Sequence, residues 1–333
     1  MGDVSRALVA RAPTRLDFGG GWTDVAPYCD EEGGAVCNVA ITRYATATVG
    51  IGPHRDDAYD DAHDDAHDDA LTRAALMRAG IAGATASVRS DFPVGSGLGG
   101  SSAAGVALAG ALAGLRGETL EPAALAELSR RTEVEDLGIA GGFQDHYAAA
   151  FGGALLLTYD GCVGVERLPL PEGTHDALAR RGVLIFTGVS RISASTITAV
   201  SDAYRARDRD VCAALARMKT LAISMAAALR AGDLDALGEQ IGEHWVHQRA
   251  LHPGITTERI EAICRESARA GALGMKALGA SGGGCVFVLA RDGGEEALAR
   301  ALAPLGERLH FAVDWTGFEV IAALDEWREG SVA

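Results

Sequence analysis

The run Pro93-Val94-Gly95-Ser96-Gly97-Leu98-Gly99-Gly100-Ser101-Ser102-Ala103-Ala104 constrains this chain more than any other stretch. Small residues this dense, followed by the Ala-rich segment Ser101 to Leu115, predict a tight loop opening into a closely packed helix. Backbone N–H groups in such a loop have few side chains over them, so they can close around phosphate oxygens. Gly95, Gly97 and Gly100 also satisfy the fingerprint G-x-G-x-x-G of dinucleotide sites. That motif needs a βαβ unit with an acidic residue after the next strand, whereas here a long Ala-rich helix and a turn with Glu118 and Glu121 follow. No Lys follows the glycines, which removes a Walker loop. Ser101 and Ser102 add hydroxyls of the kind that ligate a nucleotide's magnesium, with a plain helix N-cap as the competing reading.

Composition bounds the rest. With 333 residues, 48% hydrophobic and 23% charged, the chain can bury a large core and divide into two domains. A net charge of −15 argues against nucleic acid and against an anionic membrane, because the whole-molecule field repels phosphate backbones. A small phosphorylated metabolite needs only a local cluster of amides, cations and a metal ion. Met1 to Leu16 lacks a signal-peptide core, and no apolar run of about 18 residues is free of Gly or charge, so a soluble cytoplasmic protein is expected. The six scattered cysteines form no Cys-x-x-Cys pair and read as reduced thiols.

Val9 to Val49 reads as strands and tight Gly turns, and Ala84 to Ser90 as a strand. Between them Asp56 to Ala70 is low-complexity and acidic; His63 and His67 share a helical face there, but a solvated segment outweighs a metal site. Glu121 to Leu137 predicts a helix with Pro122 at its first position and Gly138 as its stop. The second half predicts a strand at Val183 to Phe186, a helix at Val211 to Leu229, and an amphipathic helix around Ile260 to Ala268 stopped by Gly271. A Gly turn, Gly279 to Gly284, then leads into a strand at Cys285 to Leu289. This order favours an α+β fold of two domains, divided near Pro169 to Gly173.

Pro93 to Ala104 resembles the second signature of the GHMP kinases, the galactokinase, homoserine, mevalonate and phosphomevalonate kinase superfamily. Arg11-Ala12-Pro13-Thr14-Arg15-Leu16-Asp17-Phe18-Gly19-Gly20-Gly21-Trp22-Thr23-Asp24 resembles the first signature, and Leu278-Gly279-Ala280-Ser281-Gly282-Gly283-Gly284-Cys285 the third. Gly33 to Asn38, Gly138 to Gly153, Thr187 to Arg191 and Gly271 to Lys276 are most similar to D-glycero-D-manno-heptose 7-phosphate kinases. Trp22 resembles fucokinases instead, and Trp245-Val246-His247-Gln248-Arg249 stands where a Lys-Lys pair is expected. The resemblance implies a domain like ribosomal protein S5 domain 2 over 1–170 and a ferredoxin-like domain over 171–333, with the active site between them. It also implies ATP, Mg2+ and transfer to a hydroxyl, the anomeric one of a heptose 7-phosphate. Fucose, a C7 cyclitol phosphate or another higher-carbon sugar phosphate is a related substrate; a non-catalytic sugar and nucleotide sensor is the non-enzyme alternative. Oligomeric state is left open.

By resemblance, Asp145 accepts the hydroxyl proton, against a reading as a helix cap. Glu133 and Ser102 ligate the metal; Glu135 is the rival, and helical spacing alone does not choose between the two carboxylates. Gly95, Ser96, Gly97, Leu98, Gly99, Gly100 and Ser101 hold nucleotide phosphates. Arg15 stabilises the reacting oxygen, while Gly21, Thr23 and Asp24, with Gly282 and Gly283, hold the substrate. The competing reading for Arg15 is a surface ion pair, and for Asp24 a turn residue near Pro27. A phosphate on the substrate would face Arg191, Lys276 and Arg249. His244, His247 and His252 have no evident carboxylate or Cys partner and read as core or surface residues.

Overall fold

In the computed structural model, which describes residues 7–52, 66–189 and 194–324, the first strand is the scaffold for everything else. β1 (Ala7–Gly19) is buried along nearly its whole length. After the short α1 (Tyr28–Glu32) it pairs antiparallel with β2 (Gly34–Ile51). The register slips between Pro13 and Thr14. Ahead of this bulge Leu8, Ala10 and Ala12 join one hydrophobic cluster; beyond it Leu16 and Phe18 join another. A bulge re-aims the side chains that follow it, and here it turns Arg15 and Asp17 toward the polar cleft.

Next come α2 (Ala66–Ala79), whose first side chains lie outside the description, and β3 (Ala84–Ser90), which pairs with β2. α3 (Gly100–Leu115) lies under the sheet with twelve buried residues. Its small residues allow close approach: a Cβ at Gly110 would strike the Phe318 ring, and one at Gly105 the Ser129 hydroxyl. α4 (Pro122–Arg131) widens into a π-helical turn at Thr132–Asp136, so the helix predicted as far as Leu137 changes pitch where its carboxylates lie. α5 (Gln144–Phe151), β4 (Ala154–Tyr159) and β5 (Val163–Arg167) complete this half.

The second half runs α6 (Thr174–Arg181), β6 (Gly182–Phe186), α7 (Ala194–Arg205), α8 (Arg209–Ala231), α9 (Leu234–Ala250) and α10 (Glu258–Arg269). β7 (Ala272–Ala277), β8 (Cys285–Ala290), α11 (Glu295–Leu302), β9 (Glu307–Leu309) and β10 (Glu319–Leu324) follow. Asp208 caps α8 by accepting from two backbone N–H groups, and Gly232 ends it at φ +69°. By length and apolarity α8 could cross a bilayer, with mean hydropathy 1.4, but Leu221, Ala222, Met225 and Leu229 bury it against the first sheet's Leu16, Phe18 and Cys37.

The first sheet is ordered β10-β1-β2-β4-β5 with β3 beside β2, and the second β7-β8-β6-β9; all the pairings are antiparallel. β10 thus returns from the end of the chain to close the first sheet on β1. A cut at 170/171 leaves this strand on the far side of the division from its partner.

Candidate active site

The loop after β1 is held by backbone contacts. Thr23 Oγ1 donates to Gly20 O at 2.7 Å and accepts the Ala35 N–H at 3.2 Å. Gly20 N–H donates to His244 Nε2 at 2.9 Å, which joins the loop to α9. Asp24 is buried and accepts the Gln144 N–H at 3.1 Å. It therefore anchors the start of α5 and is not a solvated turn residue.

The glycine loop lies against three other segments. Cys285 N–H donates to Ser96 O at 2.7 Å, and Arg15 N–H to Leu98 O at 3.0 Å. Gly97 has φ +73°, and a Cβ there would come within 2.7 Å of Leu278 O. Gly99 stands at the N-cap of α3 without a side-chain cap bond, so neither serine caps the helix. The first-turn N–H groups of a helix have no intrahelical acceptor, which makes this end fit for an anion.

Asp145 lies over Gly99, where an added Cβ would sit 3.0 Å from its carboxyl carbon. Arg15 Nε donates to Asp145 Oδ1 at 2.7 Å and Nη1 to Gly97 O at 2.7 Å. Arg15 is buried, which excludes the surface ion pair, and α5 is entered from Phe143, which excludes Asp145 as its cap. The two rival glutamates separate cleanly. Glu133 is buried with Oε2 3.4 Å from Ser102 Oγ, whereas Glu135 is exposed and paired with Arg78 at 3.2 Å. Two buried oxygens at a helix N-terminus fit a hard divalent cation. Between them stands His146, which no sequence motif marks; its Nε2 is 3.1 Å from Glu133 Oε2. A lone His ahead of the apolar Tyr147 to Phe151 was the only available signal.

Residues 69–153 match the family of GHMP kinase N-terminal domains and residues 225–306 that of GHMP kinase C-terminal domains. The chain belongs to the GHMP kinase superfamily. A D-glycero-alpha-D-manno-heptose 7-phosphate kinase of Campylobacter jejuni is 28% identical over 308 residues, covering 85% of this chain and 89% of that protein. An L-fucokinase/L-fucose-1-P guanylyltransferase of Bacteroides fragilis is 28% identical over 85% of this chain but only 34% of its own length. The crystal structure of a D-glycero-D-manno-heptose 1-phosphate kinase from Bacteroides thetaiotaomicron superposes with TM-score 0.73 at 25% identity, covering 97% of this chain and 100% of that one. The two-domain GHMP kinase fold is therefore established, and the chain is a sugar kinase, a phosphotransferase acting on a sugar hydroxyl.

In this GHMP kinase Lys276 does not face a substrate phosphate. It is fully buried, with Nζ 2.9 Å from Asp17 Oδ2. An ammonium in an apolar strand needs an anion inside the fold, and Asp17 on β1 supplies it. Burial lowers the affinity of Lys276 for its proton while Asp17 supports it. Arg249 is on the surface, 3.5 Å from Glu261, and Arg191 falls outside the described residues, as do His63 and the side chain of His67. Gly282 N–H donates to Ile255 O at 2.8 Å, and a Cβ at Gly283 would meet Val189 O. The third signature is thereby braced by Ile255 and Val189, and its last residue, Cys285, is tied to Ser96 of the glycine loop. His244 is buried, and desolvation, then the Lys276 charge, lower its pKa well below the ordinary value. His252 Nδ1 accepts from Gly254 N–H, and His247 lies 3.9 Å from Glu243.

Burial lifts the Asp24 carboxyl to about 7, with the nearby charges of Asp145 and Asp17 adding to it and the Gln144 N–H opposing. Asp17 Oδ1, Gln144 Oε1 and both polar atoms of Asn38 are buried without a hydrogen-bond partner among the described residues. Asp17 and Gln144 also close on Gly21, where a Cβ would press on both side chains. A separate open cleft of about 490 Å³ near α6 is lined by Arg180 and Arg181, but both pair with carboxylates, Arg180 with Asp292 and Arg181 with Asp235.

Proposed function

We propose that this chain is an ATP- and Mg2+-dependent kinase of the anomeric C1 hydroxyl of a sugar phosphate such as heptose 7-phosphate. The observation that carries this reading is the Arg15 guanidinium, which holds Asp145 with one nitrogen and the glycine loop with another. The names of the heptose phosphate kinases to which the chain is similar support the substrate class. Bound ATP and Mg2+ would supply the γ-phosphoryl group and neutralise charge on its oxygens.

The chain's own residues do the rest. Asp145 takes the proton of the attacking hydroxyl through the oxygen that Arg15 leaves open, and Arg15 fixes its orientation. The amides and small side chains of Gly95, Ser96, Gly97, Leu98, Gly99, Gly100 and Ser101 hold phosphates, and Ser102 with Glu133 holds the cation. Asp24, in a loop shaped by Gly21 and Thr23, accepts sugar hydroxyls, and Gly282 and Gly283 brace the facing turn. Arg191 and the exposed Arg249 remain the cations offered to a substrate phosphate. We further assign 1–170 and 171–333 as the two domains, with β10 lent back to the first, in a cytoplasmic protein. Its partners are small sugar or cyclitol phosphates and, given its charge of −15, neither nucleic acid nor membrane.

A second reading, a fucokinase, is favoured by Trp22 and by the similarity to the Bacteroides fragilis protein. The deciding experiment is ADP release from ATP and Mg2+ with heptose 7-phosphate, a C7 cyclitol 7-phosphate, fucose and galactose, with Asp145→Asn as control. Turnover of a phosphorylated substrate only, lost in the variant, supports the proposal. Turnover of fucose alone moves the assignment to fucokinases, and tight ATP binding without turnover moves it to a sensor.

A further inference from the structure

We propose that His146 is a third protein ligand of the divalent cation in this site, binding through Nε2 beside Ser102 Oγ and Glu133 Oε2; the inference rests on the kinase reading above. The three donor atoms form a small triangle: Nε2 to Oε2 is 3.1 Å, Nε2 to Oγ 3.3 Å and Oγ to Oε2 3.4 Å. Donors about 2.1 Å from an octahedral cation are about 3.0 Å apart along each cis edge. The three atoms therefore span one face of such a shell with little movement. All three residues are buried, at 3% exposure for Ser102, 7% for Glu133 and 2% for His146.

The local fold arranges this. The π-helical turn carries Glu133 inward, and Asp145 and His146, neighbours in the first turn of α5, serve the two sides of the N-terminus of α3: one over Gly99, the other against Ser102. The second ring nitrogen of His146, Nδ1, is 2.9 Å from Ser129 Oγ. A neutral imidazole carries its proton on either nitrogen. On Nε2 the proton is given to Glu133; on Nδ1 it is given to Ser129 Oγ, which turns the Nε2 lone pair toward Ser102 and Glu133. Ser129 is thus the outer partner that a ligating His requires to fix its tautomer and ring plane. A hydroxyl, a carboxylate and an imidazole form a more borderline donor set than oxygens alone, so the site should favour Mn2+ and Co2+ over Mg2+ more strongly than an all-oxygen site.

The test uses the whole chain with Mn2+ and ATP bound, read by electron spin echo modulation with natural and isotopically labelled histidine. The expected result is a nitrogen coupling typical of a directly bound imidazole, changed by the label and lost in His146→Gln. In that variant the preference for Mn2+ over Mg2+, measured by competition binding, should fall roughly tenfold or more. Bound Mn2+ and ATP without any histidine coupling in the unmutated protein overturns the inference and leaves His146 as a hydrogen-bond support of Glu133. No binding of Mn2+ with ATP overturns the kinase reading along with it. Should His146→Gln fail to fold, the labelled unmutated protein decides alone.

Discussion

Arg15 and Asp145 lie 130 positions apart in the chain, yet Nε of one meets Oδ1 of the other at 2.7 Å, while the same guanidinium reaches Gly97 O. One fork of donors thereby sets the distance between the Asp145 carboxylate and the glycine loop. Lysine, with a single rotating ammonium, cannot hold both. Arg15→Lys should lower kcat by roughly ten- to a hundredfold, and Asp145→Asn by about 10²- to 10⁴-fold, the range of a general base, with circular dichroism unchanged. A kcat in Asp145→Asn within threefold of the parent would remove Asp145 from the chemistry.

The buried pair Lys276 and Asp17 predicts a different signature. Removing one member leaves the other as an uncompensated charge in the interior, a loss of about 3–5 kcal/mol, whereas replacing both with apolar residues is often near neutral. Lys276→Met should shift the urea midpoint strongly downward, and Asp17→Leu combined with Lys276→Met should recover most of the loss. If Lys276→Met kept full stability and raised only the KM for the sugar, Lys276 would be a substrate contact after all.

These two pairs mark where the sequence is legible and where it is not. Ala84 to Ser90 and the α3 segment follow from local pattern, because alternation and small-residue density act within a few positions. Helical spacing on Glu121 to Leu137 could not choose between Glu133 and Glu135, since the π-helical turn that buries one and exposes the other breaks that spacing. Lys276 finds its anion 259 positions away, and β10 finds β1 across nearly the whole chain. Such pairings leave no periodic trace. A lone Lys inside the apolar strand Ala272–Ala277 was nonetheless a signal for a buried partner rather than a surface contact.

Gly97 offers a test of whether the glycine loop holds ATP, with its own control. Both Gly97 and Gly117 have positive φ, at +73° and +76°, but a Cβ at Gly97 meets Leu278 O while one at Gly117 meets nothing within 4 Å. Alanine in the left-handed region costs roughly 1–2 kcal/mol at either place. Gly117→Ala should therefore lose that stability and keep its KM for ATP. Gly97→Ala should in addition push the loop off Arg15 and Leu278, raising the KM for ATP tenfold or more. Equal behaviour of the two variants in ATP kinetics would show that the contact with Leu278 does not set the loop.

The Asp24 carboxyl is held up at about 7, mainly by burial. In the unfolded chain it returns to its ordinary value, so folding takes up a proton between about pH 4 and 7. The contribution of Asp24 to stability is then most favourable below the unfolded value and is lost as pH rises to about 7, by which point the loss amounts to roughly 4 kcal/mol. Asp24→Asn retains an acceptor for the Gln144 N–H and carries no charge. Its melting temperature should exceed that of the parent by a margin that is small near about pH 4 and grows until about pH 7, then stays level. Catalysis should run the other way, because the ionised carboxylate is the better acceptor for sugar hydroxyls: kcat/KM for the sugar rises through about pH 7 in the parent and is low and flat in Asp24→Asn. A melting difference that does not change with pH would mean that Asp24 is already ionised in the folded protein at acid pH, and a parent kcat/KM flat across neutrality would separate it from substrate binding.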